Sequence, residues 1–231
     1  MENKKHHSDS LFIGIILFFI GGFQNVYTYM NCGKVFANLQ TGNMILMSIN
    51  LVEGNIAIAL RYLVPLCSFW FGCAIGASVN IKFKYLSKIH WRVILLIIEM
   101  INTIITSFLA NPLYSAGLIT FNCALTLEAF KEVDHRSLPT TMMIGNMRKA
   151  IDYLTKYFLE HHKKDLKEGL FVIGLLLVFI IGAICSALLS TMYANKTILF
   201  LVPLYLTGII FLQFEDFECR TQVKMIPLYK A

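Results

Sequence analysis

The chain has 231 residues, 57% apolar and 15% charged, with a formal net charge of +6. Soluble domains average ~25% charged and ~45–50% apolar, and a globule of this length needs more polar surface than this composition supplies. The apolar residues are clustered rather than dispersed, which excludes a soluble enzyme, a collagen-like chain and a disordered chain.

Six stretches carry almost no charge: 11–30, 62–81, 93–110, 113–130, 170–190 and 197–214. Each is about long enough to cross a ~30 Å hydrocarbon layer as a helix. Residues 1–10 are polar and hold Lys4, Lys5, His6 and His7. The 20-residue run after them exceeds the ~7–15 residues of a signal-peptide core, so it reads as a retained first helix. Its second half reads Gly21-Gly22-Phe23-Gln24-Asn25, followed by Thr28 and Tyr29. Gln24 with Thr28, and Asn25 with Tyr29, are i,i+4 pairs. Amides inside a span must find partners, so they either tie helices together or line a polar cavity.

The connection 31–61 holds Gln40-Thr41-Gly42-Asn43 and then an apolar run, 44–52. That run is too short to span, which predicts an interfacial or re-entrant helix. Thr41 or Asn43 can cap such a helix, and Gly42 permits a tight turn or close approach to a ligand. A helix start at membrane depth also offers free N–H groups and the positive dipole end, which attract anionic or carbonyl groups. An ordinary cap at the outer interface is the alternative. Ser68, Gly72 and Gly76 in the second stretch form a small-residue stripe suited to close helix packing. The third stretch holds Glu99 with Asn102, Thr103 and Thr106 on or beside one face. A carboxyl group within a span is costly and is by default a functional candidate; a protonated Glu bonded to a neighbouring helix is the alternative. The fourth holds Asn122 and, one turn from its inner end, Glu128. The connection 131–169 carries Ile144-Gly145-Asn146-Met147. Beyond that, Ala150, Ile151, Leu154, Tyr157 and Phe158 take one helical face, with Arg148, Lys149, Asp152, Lys156 and Glu160 on the other. That pattern suits a helix lying flat on the inner leaflet.

Features recur at nearly constant spacing. Gly72, Gly76 and Asn80 align with Gly182, Ser186 and Ser190 at an offset of 110. Thr41-Gly42-Asn43-Met44 aligns with 144–147 at an offset of 103, and Gln24-Asn25 with Phe121-Asn122 at 97. This predicts two halves, 11–110 and 113–214, of three spans each. An odd number of spans inverts the second half relative to the first.

With both termini inside, the inner segments carry 17 Lys and Arg and the outer ones only Lys34, Arg61 and Lys196. The positive-inside rule selects this orientation. No basic patch interleaves with aromatics, which argues against nucleic acid. Of six cysteines only Cys32 reaches the outer side, no C-x-x-C occurs, and no His pair has i,i+4 ligand spacing, so no disulfide, metal or cofactor is expected.

The stretch 21–25, a linker with Gly33-Lys34-Val35-Phe36-Ala37-Asn38, and Gln40-Thr41-Gly42-Asn43 resemble the YoaK family of multi-pass membrane proteins of unknown function. The similarity continues through 71–76 and more faintly through 121–124, covering most of the chain. The family often has Asp where this chain has Asn25, and Ile144 stands at the Thr position of the second motif. A proton site on that Asp would therefore have no counterpart here. The resemblance implies a multi-pass architecture and brings no substrate.

These readings predict an all-α, six-span plasma-membrane protein of two inverted repeats, each with a short motif helix after its first span. Tails 1–10 and 215–231 are expected in the cytoplasm. The expected function is transport of a small polar or anionic solute, with no enzymatic constellation in the spans. Gln24, Asn25, Thr41, Gly42, Asn43, Asn122, Gly145 and Asn146 are the expected lining, and Glu99 a charge or proton site. The alternative is a membrane scaffold that docks a partner on its basic inner loop. Expected partners are the bilayer and an unidentified solute, with homo-oligomerisation left open.

Overall fold

The computed structural model describes residues 10–83, 91–134 and 136–225, with side chains to 214. In chain order the helices are α1 (Leu11–Asn31), α2 (Gln40–Val52), α3 (Ile56–Phe83), α4 (Trp91–Phe108), α5 (Pro112–Ala129), α6 (Met143–Glu160), α7 (Lys163–Tyr193) and α8 (Val202–Met225). A 3-10 stretch, Ala194–Leu201, joins the last two. There is no β-strand among the described residues, only an isolated bridge between Val133 and Arg136.

Four segments are long and apolar enough to cross a membrane: Leu11–Asn31, Ile56–Phe83, Trp91–Phe108 and Lys163–Phe214. Three of the six expected stretches match single segments here, the fourth is α5, which is not among the four, and the last two both lie within Lys163–Phe214. α5 carries Ser115, Thr120, Asn122 and Thr126, all buried, so it presents its polar groups to protein and is less apolar than a lipid-facing helix. The last two expected stretches fall in α7 and α8, which the 3-10 stretch Ala194–Leu201 joins without a break. The two expected short helices are present as α2 and α6.

Local chemistry sets several boundaries. Ser10 Oγ accepts from Ile13 N at 3.4 Å and starts α1. Asn111 Oδ1 accepts from Leu113 N at 2.9 Å with Pro112 at the first helical position of α5. His161, in the left-handed region at φ 56°, ends α6 and turns the chain into α7.

α1 is deeply enclosed, with Leu17, Phe18, Ile20, Phe23 and Tyr27 almost wholly buried. Against α7 it packs in parallel: Phe18 shares a cluster with Val172, Gly22 lies against Phe179 and Ala183, and Asn31 Nδ2 donates to Ser190 Oγ at 2.9 Å. Gly22 and Gly182 each meet the other helix's backbone carbonyl, Phe179 O and Phe19 O, so neither position has room for a Cβ. α3 and α5 pair the same way. Ser68 faces Gly117, Gly72 faces Phe121 O and Ala124, and Gly76 faces Glu128. The small-residue stripe is thus a packing seam.

Outward faces are apolar. α7 exposes Leu177, Ile180, Ile181, Ile184 and Leu188, and α3 exposes Trp70 and Phe71. A continuous surface of this kind fits lipid as solvent and not water. Glu128 pairs with Lys131 at 2.9 Å. Lys4, Lys5, His6, His7, Lys84, Lys88, His90, His135 and Lys230 lie outside the described residues, as do the side chains of Cys219, Arg220 and Lys224.

Candidate functional site

The starts of α2 and α6 are built alike. Their N-cap residues are Leu39 (φ −97°, ψ 71°) and Met142 (φ −104°, ψ 73°), and neither is capped by a side chain. Thr41 and Asn43 are therefore not N-caps. Asn43 lies within the first turn, fully buried, and reaches back seven residues. Its Oδ1 accepts from Phe36 N at 2.9 Å, and its Nδ2 donates to Phe36 O at 2.7 Å and Gln40 Oε1 at 3.0 Å. Asn146, also fully buried, donates from Nδ2 to Pro139 O at 2.9 Å, again seven residues back. From 36 to 139 and from 43 to 146 the offset is the same 103. The one difference has a covalent cause. Pro139 has no N–H, so Asn146 Oδ1 is buried without a partner among the described residues.

The loops leading into both helices converge on α1. Asn38 Nδ2 donates to Gly21 O at 3.1 Å, and Asn38 N donates to Asn25 Oδ1 at 3.0 Å. A Cβ on Gly21 would sit 3.4 Å from Asn38 Nδ2 and 3.5 Å from Thr140 O, the latter from the loop before α6. Gly21 is ten residues from either end of α1, about 15 Å at ~1.5 Å per residue. The loop before α6 is itself tied to α7: Arg136 Nη2 donates to Glu168 Oε1 at 3.0 Å, Arg136 also pairs with Asp134, and its guanidinium lies 4.2 Å from the Phe171 ring centroid. Hydrogen bonding to Glu168, with Asp134 adding to it, holds the pKa of that guanidinium above its ordinary value against the lowering effect of burial.

Between the two helix starts lies a cavity of about 490 Å³. Its lining falls into pairs: Asn25 with Leu127, Asn38 with Thr141, Leu39 with Met142, Gln40 with Met143, Thr41 with Ile144, and Phe69 with Phe179. The offsets are 102, 103 four times, and 110. Only Gly145 lacks a partner in the lining, and a Cβ there would meet open space. No lining residue is ionisable, while Asn38 Oδ1 and Thr141 Oγ1 are buried atoms without a hydrogen-bond partner. The first-turn N–H groups of each helix have no intrahelical acceptor, and they belong to the residues around this cavity.

A family model described as "Protein of unknown function (DUF1275)" matches residues 13–212. The chain belongs to the DUF1275 family. The match spans both helix starts and every residue of the cavity lining. No curated protein and no solved structure matches the chain.

Of the expected site residues in this DUF1275 chain, Asn25, Thr41 and Gly145 line the cavity. Gly42, Asn43 and Asn146 do not; Gly42 keeps Leu39 close, and the two asparagines brace the loops. Gln24, Glu99 and Asn122 lie in a separate buried network. Gln24 Nε2 donates to Tyr205 Oη at 2.8 Å, and Gln24 Oε1 accepts from Cys123 Sγ at 2.9 Å. Thr126 Oγ1 contacts Glu99 Oε2 at 2.9 Å, with Tyr205 also bonded to that carboxyl group. Asn122 Nδ2 donates to Glu99 O at 3.0 Å, and Asn102 Nδ2 to Asn122 Oδ1 at 2.9 Å. Thr28, expected as the i,i+4 neighbour of Gln24, donates to the Gln24 and Asn25 backbone carbonyls.

The 97-residue alignment of Asn25 with Asn122 is corrected by the packing. Gly182 sits on Phe19, and Gly72 on Phe121, which sets that offset at 102 and makes Leu127 the counterpart of Asn25. Sequence reasoning missed Asn38, Thr141, Phe69, Phe179 and Tyr205. The first four were reachable by extending the 103 and 110 offsets outward from the glycines.

Proposed function

We propose that this chain is a YoaK-like plasma-membrane transporter of six spans, with both termini in the cytoplasm, which moves a small polar or anionic solute through the cavity between two inverted halves. The observation that carries the reading is the meeting of two equivalent helix starts at one cavity, halfway along α1. Parallel packing of α1 with α7 and of α3 with α5 agrees with α2 and α6 entering and leaving from their own sides. Paired lining residues support an approximate twofold axis through the cavity, the usual place for a substrate in inverted-repeat transporters. Non-helical backbone at that depth is tolerated where it lines a wet cavity. Glu99 has the hydrogen-bonding hydroxyls Thr126 and Tyr205 around it and is linked through Tyr205 to Gln24, so it serves to couple α1 to α4, α5 and α8. The test is uptake by proteoliposomes of a panel of small carboxylates, amides and inorganic anions. Uptake that Asn25→Leu abolishes at unchanged protein level supports the reading. Absence of uptake for every solute, with a cytoplasmic protein retained on the 131–167 loop, favours the scaffold alternative.

A further inference from the structure

The two walls of the cavity match in position; Asn38 and Thr141 keep a polar group on each wall, but three other pairs differ in chemistry. Where the α1–α2 wall has Asn25, Gln40 and Thr41, the α5–α6 wall has Leu127, Met143 and Ile144. We propose that the cavity takes an amphipathic solute with an uncharged head carrying a carbonyl beside an N–H or O–H, such as an amide, and an apolar body of about five carbons. This rests on the transport reading and narrows its solute class.

The head belongs on the α1–α2 wall. Free N–H groups at the start of α2 suit a carbonyl oxygen, and Asn38 Oδ1, which has no partner, needs a donor. A head that both accepts and donates satisfies both, whereas a carboxylate or phosphate only accepts. The lining offers no cation to a bare anion, and an unpaired charge is costly to bury. The body lies on Leu127, Met143 and Ile144, with Phe69 and Phe179 between the walls. Small-molecule sites of ~300–1,000 Å³ with mostly apolar lining and a few placed polar groups have this character. A site for a wholly hydrophilic solute would carry amides on both walls.

The experiment is binding to the full chain in nanodiscs, using hexanamide, acetamide, hexanoate and phosphate as probes, alongside uptake of the same compounds. The expected order is hexanamide tightest, acetamide at least about tenfold weaker for want of the tail, hexanoate weaker than hexanamide, and phosphate undetectable. Leu127→Asn, and separately the pair Met143→Gln with Ile144→Thr, should weaken hexanamide about tenfold while leaving acetamide unchanged. Two variants are used so that one misfolding does not decide the matter. Equal binding of acetamide and hexanamide, preference for phosphate, or a phospholipid acyl chain retained in the cavity by mass spectrometry would each overturn the proposal. Hexanamide binding without uptake would keep this proposal and remove transport. Uptake of phosphate without hexanamide binding would do the reverse.

Discussion

Asn43 and Asn146 occupy equivalent places but satisfy different numbers of groups. Removing the Asn43 side chain strands both Phe36 N and Phe36 O, and each buried orphan costs ~1–3 kcal/mol. Removing Asn146 strands only Pro139 O. Asn43→Ala should therefore lower thermal stability more than Asn146→Ala, by ~1–3 kcal/mol, as read from unfolding in detergent. Equal losses would contradict the assigned bonds. Cys32 was expected to be an outward thiol, yet it is only 3% exposed, and burial pushes its pKa up to about 12. Since the thiolate is the reactive species, Cys32 should label slowly at pH 8 from either side. Rapid labelling of Cys32 at pH 8 would refute this burial. At this scale the sequence exposed which polar residues lie within apolar stretches but not their partners. Gln24 meets Tyr205 across 181 positions, and no periodicity carries that.

The elements were more legible. Helical periodicity and glycine spacing gave α2, α6 and the 103 offset because those signals are local. The 97 offset failed because α1 and α5 share no small-residue motif, and only their crossings with α7 and α3 fix the register. Those crossings depend on absent side chains. Gly182→Leu would drive a side chain into Phe19 O, and overpacking of this kind costs ~1–3 kcal/mol even where neighbours can shift. Backbone carbonyls shift little, so Gly182→Leu should abolish folded yield, while Gly174→Leu, which meets open space, should not. Similar yields for the two would remove the close α1–α7 approach. α5 was expected as a span from its length and its near absence of charge. Its buried hydroxyls and amides show that enclosure by other helices, which a single stretch does not record, sets how apolar a helix must be.

For the whole molecule, the proposed orientation rests on the charge split and is open to a labelling test. Single cysteines at Glu53 and Lys196, both exposed, should react with an impermeant reagent from outside, and one at Lys164 only from inside. Labelling of Lys164→Cys in intact cells would invert the assignment. The central claim is that the starts of α2 and α6 face one cavity and not two opposite water interfaces. The direct measurement places Thr41→Cys and Ile144→Cys, singly, in a cysteine-free chain in oriented proteoliposomes, and adds an impermeant thiol reagent to one side at a time. A shared cavity predicts that both positions react from the same side, with a common change in rate when hexanamide is present. Reaction of Thr41→Cys only from outside and of Ile144→Cys only from inside would contradict it.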